Sequence, residues 1–518
     1  MMPVQVSTKF KAVVVPARDD VRNLFPKAPS LDLQGKHHLV VPHKPSESYM
    51  LRKLGFDVPP PILSHYDWCG GTPFEAQRKT CALLTMNNRA YVLNGMGTGK
   101  TKSALWAWDY LRSNGLAGKL LVLAPLSTLK FTWAREVLNT IPHRKCVVLH
   151  GTKQKRIKAL EDPEAEIFVI NHDGLKVIAK EIAEVDIDTV VIDELAVYRN
   201  GGSQRTKQLM QFAKDKKWVW GMTGQPIPKD PTDVWGQAKI VTPDRVPKYF
   251  GTFRGEVMEK VSAFKWVPKR DAVNRAFDVL QPAVRFSLED VQELPECIER
   301  TVDVELGPQQ AKIYKELADH CYAAVQSQEI TAANAGAVMS KLLQVSTGWV
   351  YTREGNTVPL DNNERITALV DAINSSDRKV LVFVPFKHAL AGISEALTKE
   401  DIEHAIVSGD TPANARAETF NLFQSTNKYK VLVAHPQCLA HGITLTAADT
   451  VVWFAPVTSL EVYDQANHRI RRVGQQHKQL VLHLQSTPVE RRIYSLLRSK
   501  QQVQNKLLDL FEAATKEE

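Results

Sequence analysis

Short apolar runs, separated by longer stretches of mixed polarity, recur in two series along the chain. The first series ends near residue 224 and the second begins near residue 379. Spacings of roughly 15 to 30 residues between such runs are typical of buried parallel strands joined by helices. The pattern therefore predicts an α/β protein with two similar lobes. The strands are expected in AYVLNG, KLLVLAP, KCVVLH, IFVIN, TVVIDE and WVWGMTG, and then in KVLVFVP, AIVSG, KVLVAH, TVVWFAP and QLVLHLQ.

The chain outside these two series has a different pattern. Residues 249–270 are aromatic and basic, and residues 309–328 follow a helical period. We interpret them as a helical insertion and linker. The N-terminal stretch forms a separate small unit, either a small DNA-binding fold or a packing cap. The predicted organisation is an N-terminal accessory unit (1–68), a first lobe (69–242), the insertion and linker (243–360) and a second lobe (361–518).

Composition narrows the class of protein. The 518 residues are 44% hydrophobic, and no apolar run of about 18 residues indicates a membrane span or a signal segment. The cysteines are far apart and form no C-x-x-C pair, which argues against a zinc site or a disulfide framework. We therefore expect an intracellular protein. Its net charge of +9 adds weak support for a polyanionic partner. The cysteines are Cys69, Cys81, Cys146, Cys297, Cys321 and Cys438.

A glycine-rich turn follows the first predicted strand. The stretch AYVLNGMGTGKTKSALWAWDYL runs from strand through turn to helix, which is the context of a phosphate-binding loop. Gly97 and Gly99 let backbone N–H groups approach phosphate oxygens, Lys100 reaches the outer phosphates, and Thr101 can ligate magnesium. Asn94 stands where the strict pattern has its first glycine, and we expect its side chain to point away from the phosphates.

Two adjacent carboxylates follow another predicted buried strand, TVVIDEL. Asp193 and Glu194 would lie at the carboxyl edge of the sheet, where nucleotides bind in folds of this kind. Asp193 is the candidate magnesium ligand, and Glu194 is the candidate group that orients or deprotonates the attacking water. Acids at strand ends are also common as solvated caps, but the preceding phosphate loop favours the catalytic interpretation.

The stretch QANHRIRRVGQ, residues 465–475, carries two arginines three positions apart. On a helix Arg469 and Arg472 share one face. Paired guanidinium groups there could stabilise charge on a transferring phosphoryl group. A basic helix is more often a solvated or nucleic-acid-facing surface. The two-lobe plan favours the catalytic interpretation, with chemistry that requires the lobes to close.

In this order, the segments resemble those of superfamily-two helicase-type ATPases, and within them the Swi/Snf-type DNA translocases. The resemblance runs from about residue 73 to residue 510. Within the family, the chain resembles the short translocases near the annealing-helicase branch, which include bacterial and phage members. The segments that carry it are PFEAQRKT (73–80), NGMGTGKT (94–101), LAPLSTLKFTWAREV (123–137), IDELAVYRN (192–200), GMTGQPIPKDPTDVWG (221–236), LVFVPF (381–386), LVAHPQCLAHGITLTAADTVVWFAP (432–456) and residues 465–475.

The resemblance implies two tandem RecA-like lobes that bind ATP and Mg²⁺ and move along duplex DNA. It implies that Arg469 and Arg472 act as arginine fingers and that Glu194 is catalytic, with Thr101 and Asp193 at the metal. Contacts to the DNA backbone are implied for Ser127, Thr128, Lys130 and Thr444, and such contacts carry no sequence preference. The residues implied to bind nucleotide are Gln77, which would read adenine, together with Met96, Gly97, Thr98, Gly99, Lys100 and Thr101.

Three departures and two alternatives accompany this interpretation. Ala196 stands where the family has histidine or another polar residue, Gln225 where it has threonine, and Pro228-Lys229 where it often has Gln-Asn. The resemblance implies that position 196 couples hydrolysis to the other motifs. The changes at Gln225 and at Pro228-Lys229 do not touch the atoms that bind phosphate, so the chemistry of Mg²⁺ and ATP should survive them. The alternatives are a strand-separating DNA or RNA helicase, for which no wedge hairpin is evident, and a slowly hydrolysing ATP-gated DNA clamp. The family's bacterial and phage members suggest a cytoplasmic setting.

Overall fold

The computed structural model of the protein describes residues 2–262, 265–291, 294–326, 332–351, 357–439, 444–472 and 474–517. Its strands are β1 (Met2–Pro3), β2 (Gln5–Ser7), β3 (Ala12–Pro16), β4 (Ser30–Leu33), β5 (Lys36–Pro42), β6 (Phe56–Asp57), β7 (Arg89–Val92), β8 (Lys119–Ala124), β9 (Cys146–Leu149), β10 (Ile167–Asn171), β11 (Ile187–Ile192), β12 (Trp218–Met222), β13 (Met258–Lys260), β14 (Trp266–Pro268), β15 (Ala283–Val284), β16 (Cys297–Asp303), β17 (Trp349–Tyr351), β18 (Thr357–Pro359), β19 (Lys379–Phe383), β20 (His404–Val407), β21 (Val431–Ala434), β22 (Ala448–Trp453) and β23 (Gln479–Gln485).

Helices separate most of the strands. They are α1 (Asp19–Leu24), α2 (Pro45–Lys53), α3 (Ile62–His65), α4 (Glu75–Met86), α5 (Lys100–Ser113), α6 (Arg135–Thr140), α7 (Lys153–Leu160), α8 (Ala179–Ala183), α9 (Gln204–Ala213), α10 (Val234–Val241), α11 (Phe250–Val257), α12 (Ala272–Val279), α13 (Pro308–Gln326), α14 (Ala332–Thr347), α15 (Asn363–Asn374), α16 (Lys387–Lys399), α17 (Ala413–Ser425), α18 (Leu460–Asn467) and α19 (Pro488–Glu517). A π-helix spans Leu129–Ala134, and short 3₁₀ turns include Leu126–Thr128 and Leu195–Tyr198.

The chain divides into two units, residues 1–291 with 504–518, and residues 292–503. The first unit contains a seven-stranded sheet in the order β15-β7-β12-β11-β8-β10-β9, in which every pairing is parallel. Its core combines aliphatic strand residues with large aromatic side chains from the flanking helices, such as Trp106 and Trp108 of α5. Strands buried on both faces need such apolar runs, which is why the sequence pattern identified them.

The first unit also contains the N-terminal residues. Strands β2, β3, β5 and β4 form an antiparallel sheet that packs around a small core of its own, in which Val13, Val41 and Phe56 are fully buried. The Nδ1 atom of His43 lies 2.8 Å from Nε2 of His65, and Nε2 of His43 lies 2.7 Å from the Pro59 carbonyl oxygen. These contacts connect the small sheet to α3 and to the segment that precedes it.

The second unit contains a six-stranded parallel sheet in the order β16-β23-β22-β19-β21-β20. Both parallel sheets are flanked by helices, so the prediction of an α/β fold with two tandem RecA-like lobes is confirmed. All eleven runs expected as strands form strands. Cysteines 69, 81, 146, 297 and 438 are free thiols, and the side chain of Cys321 lies outside the described residues.

The segment expected as insertion and linker, 243–360, has a different layout from the prediction. It contributes β15 to the edge of the first sheet and β16 to the edge of the second. Its aromatic and basic part holds a β-hairpin, β13 with β14, as well as helices. Two-residue and exposed edge strands carry little apolar periodicity, so the sequence pattern did not indicate them.

A buried ion pair connects α15 to α19 within the second unit. The guanidinium of Arg365 and the carboxylate of Glu490 are 2.7 Å apart, and both side chains are almost fully buried. Arg365 also donates to the carbonyl oxygens of Ser346 and Leu484, while Glu490 accepts from the Ser486 and Thr487 N–H groups. Both charges are therefore paired and bonded to backbone groups, as a buried pair requires, and among the described residues only Nε of Arg365 lacks a hydrogen-bond partner within this pair.

We expect Glu490→Gln to lower the free energy of unfolding of the second unit by about 3 kcal/mol or more, because Arg365 would keep a buried charge without its counter-charge. The matched control is Asp410→Asn, which removes the carboxylate of the exposed pair with Lys387 at 2.8 Å and should change the free energy of unfolding little, because solvent screens exposed ion pairs. Urea unfolding followed by circular dichroism, with hydrogen exchange of β19 and β22, measures both. Equal effects of the two substitutions on the free energy of unfolding would contradict a special role of the buried pair.

Candidate nucleotide and nucleic-acid site

The glycine-rich turn lies between β7 and α5. Gly97 and Gly99 both have a φ of +82°, a conformation that side chains other than that of glycine rarely adopt. A Cβ atom at Gly99 would also lie 2.0 Å from Nε2 of Gln77. Glycine is therefore required at position 99 for two separate reasons, and the turn directs the chain into the first turn of a 14-residue helix.

Polar groups of this turn suit a phosphate chain. The Nζ of Lys100 lies 2.8 Å from the carbonyl oxygen of Asn94 and 3.0 Å from that of Gly95. The Thr98 hydroxyl donates to the same Gly95 oxygen over 2.9 Å. Met96 is half-buried in the turn, and Thr101 lies in the first turn of α5. An ammonium group and the N–H end of a helix within one short loop form a characteristic anion site.

Asn94 has a structural role that the motif does not indicate. Its side chain is 2% exposed, and its Nδ2 donates to Thr80 Oγ1 over 2.9 Å. Its Oδ1 accepts from the backbone N–H of Phe286 over 3.0 Å. Asn94 thus joins the turn to α4 and to the chain that follows β15. The side chain points into the protein and fixes the start of the loop.

Gln77 lies on α4 directly beside the turn. Its Oε1 accepts from the Phe74 N–H over 2.9 Å, and its Nε2 lies 3.4 Å from the Thr98 carbonyl oxygen. The side chain therefore contacts the phosphate loop itself and caps its own helix. The adenine-reading role remains a prediction.

Asp193 and Glu194 directly follow β11, at the same edge of the sheet as the turn after β7. Burial raises the pKa of Asp193, while a hydrogen bond from Trp133 and the nearby charge of Lys100 act in the opposite direction. Glu194 has a φ of +52°, which is unusual for a residue with a side chain and is typical of functional sites. The Asp193 carboxylate and the Thr101 hydroxyl are the hard oxygen donors that Mg²⁺ prefers, so these residues fit a magnesium nucleotide.

The residues that depart from the family pattern lie close to this edge. Ala196 is buried in the 3₁₀ turn that follows Glu194, and Gln225 is buried in the loop after β12. The Thr223 N–H in that loop donates to the Val92 carbonyl oxygen over 3.1 Å. The loop after β12 is therefore attached to the strand that leads into the phosphate-binding turn.

The π-helix Leu129–Ala134 connects the predicted nucleic-acid segment with the predicted metal ligand. The indole N–H of Trp133 donates to Oδ2 of Asp193 over 2.9 Å, and the Trp133 side chain is fully buried. A π-helix contains one more residue per turn than an α-helix, which is uncommon and often found at functional sites. Trp133 was not identified from the sequence, because a tryptophan in an amphipathic stretch is indistinguishable from a core residue.

The residues expected to contact a nucleic-acid backbone occupy different environments. Ser127 and Lys130 are exposed at the start of the π-helical segment. Thr128 is buried, and its hydroxyl donates to the Pro125 carbonyl oxygen over 2.9 Å. The structure therefore differs from the expectation for Thr128, because its hydroxyl closes the local turn and does not face solvent.

The remaining predicted residues lie in the second unit. Helix α18 ends at Asn467, so Arg469 and Arg472 lie in the turn that follows it and do not share a helix face as expected. Nη1 of Arg472 lies 3.2 Å from the exposed Thr444 hydroxyl. Arg469 is buried, and its Nε donates to the Gln465 carbonyl oxygen over 2.9 Å. Nε2 of Gln475 donates to the Ala448 carbonyl oxygen over 2.9 Å, which joins the 465–475 segment to β22. Residues 440–443 and 473, which belong to two of the motif segments, lie outside the described residues.

A glycine-rich turn suited to phosphate, strand-end carboxylates and a second parallel-sheet unit with two arginines just after α18 are the features of two-lobed, helicase-type ATPases. Family comparison agrees: residues 81–352 match the SNF2-related domain, and residues 364–474 match the helicase conserved C-terminal domain. The chain belongs to the SNF2-related family. The predictions of a Swi/Snf-type protein and of an ATP-hydrolysing enzyme are confirmed at this level.

Relatives come from phage, bacteria and eukaryotes. Protein p41 of Acyrthosiphon pisum secondary endosymbiont phage 1 is 28% identical over 74% of this chain and 85% of its own length. An uncharacterized ATP-dependent helicase of Mycoplasma genitalium is 24% identical over 80% of this chain and 40% of its own. The SWI/SNF-related matrix-associated actin-dependent regulator of chromatin subfamily A-like protein 1 of Xenopus laevis is 25% identical over 76% of this chain. The chain spans about 40% of the length of the latter two relatives.

A solved structure, the Sulfolobus solfataricus SWI2/SNF2 ATPase core in complex with dsDNA, aligns with 86% of this chain and 95% of its own. The sequence identity is 21% and the TM-score is 0.41. Within the described residues, no helix combines the length and the apolar character needed to cross a bilayer.

We expect Asn94→Gly to lower the stability of the protein and its affinity for nucleotide, although the substitution restores the strict glycine pattern. The substitution would leave the buried N–H of Phe286 without its acceptor, and an unsatisfied buried donor costs about 1 to 3 kcal/mol. Thermal unfolding and the affinity for a non-hydrolysable ATP analogue should both decrease. The control is Asn114→Gly, in which an exposed amide donates to one carbonyl oxygen. If Asn94→Gly unfolded at the wild-type temperature and bound nucleotide equally well, Asn94 would have no stabilising role.

Proposed function

We propose that this protein is a DNA-stimulated ATP hydrolase that couples hydrolysis of magnesium-bound ATP to translocation along duplex DNA. Movement along the duplex would remodel or reanneal DNA or displace bound protein. The family supports an ATP-driven motor. The names of the relatives, ATP-dependent helicases and a chromatin regulator, support a nucleic-acid substrate.

The observation that carries this proposal is the hydrogen bond between Trp133 and Asp193. Three residues before Trp133, Lys130 is exposed on the same π-helix, and Ser127 is exposed just before the π-helix begins. A rigid helical segment therefore has a candidate DNA-contacting end and a buried residue bonded to the candidate metal ligand. A displacement of this segment on DNA binding would change the position of the Asp193 carboxylate, which is the coupling that a motor needs.

The proposed chemistry assigns a separate task to each group. The N–H groups of the turn and Lys100 hold the phosphates, and Asp193 with Thr101 holds the metal ion, which supplies charge neutralisation when bound. Glu194 orients the attacking water and accepts its proton. Arg469 and Arg472 stabilise the charge on the transferring phosphoryl group, a contribution of about 10³ to 10⁵ in rate when such an arginine is in place.

Translocation requires contacts that follow a strand without reading bases. Exposed Ser127, Lys130 and Thr444 have the hydroxyl and ammonium groups that bind phosphate oxygens. The hydrogen bond between Arg472 and Thr444 supports communication in the second unit, because it joins a candidate DNA contact to a candidate arginine finger. In both units a residue proposed to touch DNA is thus close in the fold to a residue proposed to act on ATP.

The test is the rate of ATP hydrolysis alone, with duplex DNA, with single-stranded DNA and with RNA, at one stated salt concentration because such binding depends on salt. Strong stimulation by the duplex, together with displacement of a triplex strand, is the expected result. Unwinding of a tailed duplex without triplex displacement would identify a strand-separating helicase. DNA binding without stimulated turnover would identify an ATP-gated clamp.

We expect Glu194→Gln to retain ATP binding and to lose hydrolysis, since the amide keeps the shape of the side chain but cannot accept the proton of water. Turnover measured as phosphate release, beside the affinity for ATP measured by fluorescence, separates the two effects. Glu161→Gln, at an exposed position after α7, is the matched control and should behave like the wild-type protein. Hydrolysis by Glu194→Gln at the wild-type rate would exclude Glu194 as the base.

Mg²⁺ should increase the affinity of the wild-type protein for a non-hydrolysable ATP analogue. We expect Trp133→Phe to make this increase about 10- to 100-fold smaller, which is the usual cost of losing a hydrogen bond to a metal ligand. Stimulation of ATPase activity by duplex DNA should decrease as well, with DNA affinity retained. The control is Trp218→Phe, whose indole donates to the Leu116 carbonyl oxygen instead. If both variants kept wild-type dependence on Mg²⁺ and DNA, Trp133 would be a packing residue only.

A further inference from the structure

The described residues of the aromatic and basic stretch 249–270, which are 249–262 and 265–270, include a helix followed by two paired strands in the first unit. Helix α11 runs directly into β13, which pairs with β14 in antiparallel register, with Lys260 opposite Trp266. We call this substructure, with the residues leading into and out of it (245–270), the basic hairpin module. None of the motifs that define the nucleotide site includes it.

Positive charge is concentrated in the basic hairpin module. Residues 245–270 contain seven lysines and arginines and two glutamates, a net charge of +5, whereas the whole chain of 518 residues carries +9. One of the glutamates, Glu256, is neutralised by Arg275 at 2.9 Å. Lys260, Lys265 and Arg270 are exposed and form no ion pair within the described part of the chain. More than half of the net charge of the protein thus lies within 26 residues.

The basic hairpin module is packed against the rest of the first unit. Phe253 and Val257 of α11 are fully buried, as are Ala272, Ala276 and Val279 of α12, against which α11 packs. The Trp235 indole N–H donates to the Pro247 carbonyl oxygen over 3.0 Å at the entry to the module. The Arg254 guanidinium carbon lies 4.3 Å from the centre of the Trp266 ring. The exposed charges are therefore presented on an ordered surface, in contrast to a solvated linker.

Exposed aromatic side chains accompany the charges. Tyr249 is 67% exposed at the start of α11, and the Nζ of Lys248 lies 5.4 Å from its ring centre. Phe250 is exposed as well. The Tyr249 hydroxyl and the Lys248 ammonium are groups of the kind that contact phosphate oxygens in protein–DNA complexes.

We propose that the basic hairpin module is a second duplex-DNA contact, which binds the phosphate backbone through Lys260, Lys265 and Arg270. This inference rests on the proposed function for the identity of the partner, and the charge complementarity comes from the module itself. Its contribution is to increase the time that the protein stays on the duplex, because each neutralised phosphate adds salt-sensitive affinity.

The test is a triple variant in which Lys260, Lys265 and Arg270 are each replaced by glutamine in the full chain. Its affinity for a fluorescent DNA duplex is measured by anisotropy at several salt concentrations. The slope of the logarithm of the binding constant against the logarithm of salt concentration should become shallower by up to about 2.7, since each lost phosphate contact removes about 0.9. We expect binding at about 0.1 M salt to weaken tenfold or more. The duplex concentration for half-maximal ATPase stimulation should rise correspondingly.

The matched control removes three other exposed charges of the same unit, Lys207→Gln, Lys214→Gln and Lys217→Gln, in and after α9. It should change neither the slope nor the affinity beyond the small effect of net charge. Thermal unfolding of both triple variants verifies that the fold is intact. An equal decrease of DNA affinity in both triple variants would overturn a specific contact at the basic hairpin module. General electrostatic attraction would then explain the binding.

Failure of this inference is distinguishable from failure of the proposed function. If the wild-type protein neither binds duplex DNA nor is stimulated by it, the proposed function fails. If the wild-type protein binds and is stimulated, and the hairpin variant binds with the same affinity and slope, only the contact at the basic hairpin module is overturned. A loss confined to single-stranded DNA would overturn the assignment to the duplex.

Discussion

The common direction of the strands in the first sheet is the constraint on which the rest of the site depends. When parallel strands are joined by crossover helices, all of their carboxyl ends lie at one edge of the sheet. In this protein β7 leads into the phosphate-binding turn and β11 leads into Asp193 and Glu194, with only β12 between them. The anion site and the carboxylates are therefore neighbours although about 90 residues separate them in the chain.

Buried hydrogen bonds then determine how precisely these groups are held. Asn94 joins the turn to Thr80 and Phe286, and Trp133 holds Asp193. Each bond is made away from water, where an unsatisfied partner is costly, so each strongly favours a single arrangement. This explains why the loop departs from the strict glycine pattern without losing its geometry. The bond between Trp133 and Asp193 provides a physical route from the surface of the π-helix to the candidate metal ligand.

The second unit uses polar burial for a similar purpose. Arg365 and Glu490 are paired in its interior and bonded to four further backbone groups, so two helices are held in one register. Gln475 joins the arginine segment to β22, and Arg472 is bonded to Thr444. These contacts are local to the unit. They define the surroundings of the arginines before any nucleotide or DNA is bound.

The sequence by itself determined the two-sheet architecture, the glycine-rich turn between strand and helix, the two carboxylates at a strand end and the family, because these depend on apolar periodicity and on residue types at short, regular spacings. It did not indicate β15 and β16, whose short or exposed strands lack that periodicity, or the β13–β14 hairpin. Only the tertiary structure decided that Asn94 is a buried link, that Thr128 faces inward and that Trp133 holds Asp193. Those roles depend on which distant groups meet across the fold, and spacing along the chain carries no information about such meetings.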